Sequence, residues 1–230
     1  MKRLNKSRTR NKAAVCSTQS TSAVKVGGFI TLVTVAVCFS IYFLNDAYNE
    51  LITRKRMIEF IKHTLIKLDI NNQSKMLDFG GGNCLISKHF KNLNVHTIDI
   101  IDNTKCSQYS KYDGWSIPYP DKYFDITICM YVLHHIPHQD CIIKELNRVS
   151  KYCIIIEDDY SEKMNTISKT ICKLHYKKFN QPTTNTKYMK NKQQWEDYLL
   201  KNEFSIIESY DIPGVLSYPV PHIGFLCKCN

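Results

Sequence analysis

Met76-Leu77-Asp78-Phe79-Gly80-Gly81-Gly82-Asn83-Cys84 decides the fold: an apolar run closes on an acid, and a cluster of glycines follows. The run has the make-up of a buried strand. The cluster has that of a ligand loop, because glycine carries no Cβ to forbid positive φ or to block close approach of the backbone. Spacing narrows the ligand. The dinucleotide fingerprint G-x-G-x-x-G sets its third glycine three residues after the second, where this chain has Leu85. Asp78, ahead of the first glycine, is a poor neighbour for a pyrophosphate and a good one for an amino group or a sulfonium. The loop points away from NAD.

Outward from the loop, Val95-His96-Thr97-Ile98-Asp99-Ile100 is rich in strand-forming residues and reaches an acid 21 positions after Asp78. That is where the second strand of a βαβ unit ends, and an acid there can accept both hydroxyls of a ribose. Asp99 and, just beyond it, Asp102 are the candidates. Ile126 to Tyr131 reads as another buried strand, Ile142 to Ser150 as an amphipathic helix and Cys153 to Glu157 as the next strand. Phe204 to Tyr210 and Gly224 to Cys229 read as a closing pair. Alternating strands and helices predict an α/β fold with a doubly wound, mostly parallel sheet, whose ligand lies beyond the carboxyl ends of the strands.

Asp78-x-Gly80-x-Gly82 resembles the first motif, D/E-x-G-x-G-x-G, of the class I S-adenosylmethionine-dependent methyltransferases, with Cys84 in place of the third glycine. The stretch from Tyr112-Asp113-Gly114-Trp115 through Pro118-Tyr119-Pro120-Asp121 to Phe124-Asp125 resembles the family's D-a-x-x-L-P-f-p-d-x-x-F-D. Val132-Leu133-His134-His135-Ile136 matches the v-L-h-H-i of its type 11, small-molecule subfamily. The resemblance covers roughly residues 55 to 230. It implies a Rossmann-like fold with an antiparallel C-terminal strand pair and S-adenosyl-L-methionine as cofactor. Asp78, Gly80, Gly82, Asp99, Asp113 and Gly114 would bind it. Asp99 would take the ribose and Asp113 the adenine amino group.

Residues 26–44 hold nineteen residues without a charge. As a helix they would span about 28 Å, close to the hydrocarbon thickness of a bilayer. We expect one transmembrane helix there, a basic tail over residues 1–25 and a methyltransferase domain over 45–230. Seven basic residues and no acid precede Val26, out of a net charge of +10 for the chain. Most of the excess therefore lies beside the membrane, where it serves headgroup attraction and topology, and no nucleic-acid partner is expected. The positive-inside rule would keep the tail cytoplasmic. A cytosolic source of the donor and a domain with eight scattered cysteines favour a cytosol-facing domain instead.

Ten cysteines occur without a C-x-x-C pair, which predicts reduced, mostly buried thiols. Cys129, His134, His135, His138 and Cys141 have ligand chemistry but no zinc spacing, so no metal is expected. Methyl transfer is an in-line displacement that asks the protein chiefly for alignment and exclusion of water. A base is needed where the acceptor must lose a proton. His134 and His135 are the candidates, with Tyr131 and Glu157 lining the acceptor pocket. Residues 160–195 are long enough for a lid or substrate cap. The acceptor is expected to be a small-molecule or lipid-like compound.

Overall fold

Strands that are apolar on both faces need cover on both faces. The computed structural model describes residues 54–101, 106, 108–161, 164, 166, 169–170, 188–213 and 220–230. Its seven strands are β1 (Lys75–Phe79), β2 (Asn94–Asp99), β3 (Tyr109–Lys111), β4 (Phe124–Met130), β5 (Ser150–Asp158), β6 (Phe204–Ile212) and β7 (His222–Cys229). They form one sheet in the order β3-β2-β1-β4-β5-β7-β6. β1 to β5 pair in parallel, and β7 runs antiparallel between β5 and β6. The expected mostly parallel sheet with an antiparallel C-terminal pair is thus present. The order reverses between β1 and β4, which opens a crevice at their carboxyl ends.

Alternation along the strands sorts the core into two layers. Met76, Ile126, Ile128, Ile154, Ile156 and Leu226 face one side. There a helix over residues 54–67, α1, buries Met57, Phe60, Ile61 and Leu65, and the short α2 (Leu85–His89) adds Ile86. Leu77, Phe79, Cys129, Cys153, Ile155, Phe225 and Cys227 face the other side. This face is covered by α3 (Gln139–Val149), through Ile142, Ile143, Leu146 and Val149, and by α4 (Lys192–Lys201), through Trp195 and Leu199.

Three local features depart from the expected boundaries. The helix read over 142–150 begins at Gln139, and β5 follows it at Ser150 with no loop between, because Ser150 already pairs with Phe124 in the sheet. β3 is a three-residue edge strand too short to carry a period. Of residues 160–195, those from 188 onward lead into α4: Asn191 and Gln194 form a reciprocal capping box, and fully buried Trp195 donates its indole N–H to the Asp158 carbonyl at 3.1 Å. The uncharged span at 26–44 and its basic tail lie outside the described residues. Among the described residues, no helix is long and apolar enough to cross a membrane.

The seat of α1 on the sheet turns on one missing side chain. A Cβ at Gly224 in β7 would stand 2.6 Å from Phe60 Cε1, so the ring and the strand can be neighbours only while position 224 is bare. Gly224→Ala is expected to lower stability by about 1–3 kcal/mol, the usual cost of overpacking, as read by urea denaturation.

Candidate functional site

The chain leaves β1 at Phe79 and turns through Gly80, at φ +68°, to enter α2. Gly80 N donates to Ile98 O at 2.8 Å, which ties the loop to the end of β2. A Cβ on Gly80 would lie 2.5 Å from Val132 Cγ2, and one on Gly81 would lie 2.3 Å from Thr97 Cγ2 and 2.4 Å from Asp78 Oδ2. The loop therefore fits between β2 and the end of β4 only as glycine. Gly81, a free position in the motif, is the most crowded of the three. Its need for glycine comes from its neighbours, which the local pattern does not contain.

The two acids of the motif face this loop. Asp78 is almost wholly buried and accepts a long hydrogen bond from Thr97 Oγ1, 3.5 Å. Burial pushes its carboxyl up to about 7, with the nearby Asp99 charge adding to the rise and Thr97 opposing it. A buried carboxyl so short of partners suits a cation. Asp99 is buried too and is held by backbone: Oδ2 accepts Gly82 N–H at 2.9 Å and Oδ1 accepts Ile101 N–H at 3.0 Å. Each oxygen retains a lone pair, enough for two ribose hydroxyls. The weighed substitute, Asp102, lies outside the described residues.

Asp113 and Gly114 follow β3. Gly114, at φ +87°, comes against Ile100, since a Cβ there would be 3.4 Å from Ile100 Cγ2. Asp113 Oδ1 accepts the N–H groups of Trp115 and Ser116 at 2.8 and 3.0 Å, and these bonds hold its carboxyl below the usual range. His138 braces this turn, with Nε2 2.7 Å from Gly114 O and its ring stacked on Trp115 at 4.0 Å. Ile100 and Trp115, each more than half exposed, form an apolar ledge beside Asp99. The ledge was not anticipated, although both residues are exposed apolar side chains flanking motif acids.

The other wall is the turn after β4. Tyr131 stands at φ +57°, and a single 3-10 turn, Leu133–His135, follows. Glu157, wholly buried on β5, organises it: Oε1 accepts Val132 N–H at 3.1 Å and Leu133 N–H at 2.7 Å, while Oε2 pairs with His134 Nδ1. Burial pulls the His134 pKa down, but the Glu157 carboxylate more than reverses this and leaves it raised. Burial and the neighbouring His134 lower His135 to about 4, so its ring is uncharged at neutral pH. Next along β5, Asp158 Oδ1 bonds His222 Nδ1 at 2.8 Å, and the His222 ring meets Tyr131 edge-on. The five residues weighed as zinc ligands do not converge: Cys129 is buried in the core, Cys141 is exposed and His138 serves Gly114.

One expectation is corrected. Cys84 and Cys106 are not separate reduced thiols: they form a disulfide with 5.5 Å between their Cα atoms. Cys129, Cys141, Cys153, Cys227 and Cys229 are free. Pairing was invisible in the sequence because the two loops meet only once β2 is laid beside β1.

The raised Asp78 carboxyl makes cation binding pH-dependent. Above about 7 the side chain is already ionised, whereas below it a proton must leave first, so affinity for S-adenosylmethionine should fall by up to about tenfold per pH unit. The ligand's own amino group titrates nearby. Calorimetry across pH on wild type and Asp78→Asn, taken as a difference, isolates the side chain, and a constant difference would refute its role.

Residues 77–152 match the family model of the methyltransferase domain, type 11. No curated protein sequence matches the chain. Among solved structures, an S-adenosylmethionine-dependent methyltransferase from Methanosarcina mazei shares 18% identity at a TM-score of 0.54, over 71% of this chain and 96% of that one. Another from Aquifex aeolicus shares 14% at 0.52, over 74% and 89%. The [4+2]-cyclase SpnF is also similar, with 14% identity at 0.52 over 67% and 74%. At such identities the structures speak for the fold. The family match falls on the segment that carries the glycine loop, both buried acids and the histidine turn, and with it the chain is a methyltransferase whose cofactor is S-adenosylmethionine.

Proposed function

We propose that the protein is a membrane-anchored methyltransferase that acts on a small-molecule or lipid-like acceptor, with its catalytic domain facing the cytosol. The observation that carries the reading is the nineteen-residue uncharged span at 26–44, which ends ten residues before the first described turn of α1. The match to the type 11 domain supports a small acceptor. Supply of the donor in the cytosol supports the orientation. When bound, S-adenosylmethionine supplies an electrophilic methyl group on a sulfonium.

The residues present fit that cofactor. The Gly80–Gly81 turn is a cradle that a Cβ would fill, Asp78 is a buried carboxyl suited to positive charge, and Asp99 is preset by two backbone N–H groups. Asp113 and Gly114, with the Ile100–Trp115 ledge, take the base. His134 and His135 stand on the turn whose Val132 touches Gly80, so the acceptor side of the cleft adjoins the cofactor side. His135, neutral above about 4, keeps a lone pair for a proton leaving the acceptor. Glu157 and the ion-paired His134 hold that turn in place. Tyr131 lines the same end, its hydroxyl donating to Met57 Sδ at 2.9 Å.

The activity is tested by incubating the full-length protein in vesicles of total lipid extract with methyl-labelled S-adenosylmethionine. Label entering the organic phase supports the acceptor class, and label confined to protein or nucleic acid refutes it. In the same assay His135→Ala should lower transfer by about 10²–10⁴-fold, with cofactor affinity unchanged.

Orientation has its own test. Asn72-Gln73-Ser74 is a glycosylation acceptor on the domain side of the span, and Asn72 is exposed in the turn before β1. Expressed in eukaryotic cells, the protein should carry no glycan at Asn72. A glycosidase-sensitive mass there would overturn the cytosolic placement.

A further inference from the structure

We infer that the Cys84–Cys106 disulfide is a positioning element of the cofactor site, and that the dithiol or disulfide state of this pair sets affinity for S-adenosylmethionine. Cys84 occupies the N-cap of α2 in the left-handed conformation, φ 58° and ψ 38°. This is backbone that glycine adopts freely and that an L-residue with a side chain resists. No side-chain hydrogen bond caps the helix there. Cys84 is wholly buried, its N–H donates to Gly81 O at 2.7 Å, and its carbonyl accepts from Lys88 N at 3.0 Å. An unfavourable turn is therefore built into the loop that must present Gly80 and Gly81 to the ligand, and something outside the loop has to hold it.

The bond to Cys106 does so. It spans 22 residues and joins the glycine loop to the chain between Asp99 and β3. Along the same seam, Gly82 N–H reaches Asp99 Oδ2 at 2.9 Å. The covalent bond and the hydrogen bond together clamp both loops on either side of the ribose-binding acid. Opening the bridge leaves the turn at Cys84 to relax toward ordinary helical or extended backbone, which moves Gly82 N–H off Asp99 and disturbs the ribose contact.

Opening consumes a dithiol. Its thiolate attacks Sγ of Cys106, the half-buried partner; the S–S bond breaks and Cys84 leaves as a thiolate. The second thiol of the reductant then releases Cys106 as its own disulfide closes, so two electrons and two protons pass to the cysteine pair. Oxidation by a small disulfide reverses the step.

Calorimetry with S-adenosylmethionine on the full-length protein tests this, with the bridge counted in each sample by mass after alkylation of free thiols. Air-oxidised wild type should bind most tightly. Wild type reduced with dithiothreitol, and Cys106→Ser, should bind about tenfold more weakly, the scale set by a left-handed L-residue. Cys84→Gly combined with Cys106→Ser should restore affinity and ignore dithiothreitol, because glycine adopts the left-handed turn without the cost that the bridge offsets. Equal affinity of oxidised and reduced wild type would overturn the proposal. So would alkylation of both cysteines in the oxidised sample, or a double variant as weak as Cys106→Ser. Reduced wild type keeps the comparison available if Cys106→Ser folds poorly. Absence of binding in every form would overturn the cofactor assignment as well, whereas equal binding would overturn only the role of the bridge.

Discussion

The cleft exists because two residues in succession have no side chain. Gly80 lies against Val132 at the end of β4, and Gly81 lies against Thr97 on β2 and the carboxylate of Asp78. Any Cβ would push the loop away from both neighbouring strands. Its closeness is what brings Gly82 N–H to Asp99 and confines Asp78 to a space with little water. The acid is then only about half ionised near pH 7, and a cation placed beside it would complete the ionisation.

Glu157 plays the matching part on the opposite wall. A wholly buried carboxylate is costly unless its lone pairs are satisfied, and this one is met by two backbone N–H groups and an imidazole. All three donors belong to residues 132–134, so the charge holds the turn that follows β4. Beside it the sequence repeats the arrangement with Asp158 and His222, which joins β5 to β7. Two adjacent residues of one strand thus anchor both neighbouring strands at the carboxyl end of β5. Glu157, expected to line the acceptor pocket, has both its oxygens engaged by the protein itself.

Much of this was legible in the sequence. Apolar runs located β1, β2, β4 and β5, three of them closing on an acid, since a strand buried on both faces leaves a strong local signal. Asp78, Asp99 and the 134–135 turn lie within a few positions of strand ends, so a local pattern is enough to single them out. What was missed depends on contacts remote in sequence. Gly81 is forced by Thr97, Trp195 is buried by the carbonyl of Asp158 and the core around α3, and β3 is defined only by its partner β2. The cysteine pair belongs to the same class. Spacing alone cannot pair two thiols on loops whose separation depends on how the sheet is ordered.

The bridge also changes what the cysteines say about compartment. Scattered free thiols speak for a reducing environment, and five of the described cysteines are free, four of them buried. Cytosolic disulfides in mesophilic proteins are characteristically transient, catalytic or redox-sensing. One pair with a half-buried member, Cys106, set beside the glycine loop amid shielded core thiols, has the placement of a sensor rather than of a fold-wide staple. The sheet needs no such staple, because its two apolar layers are covered by helices on both sides. A cytosol-facing domain and a disulfide at its ligand loop are therefore compatible, provided that the bond opens and closes in service. The fold itself does not select the chemistry, since a cyclase shares it. Selection lies in the few residues around the glycine loop, and in this chain one of them is a buried cysteine where glycine would have served.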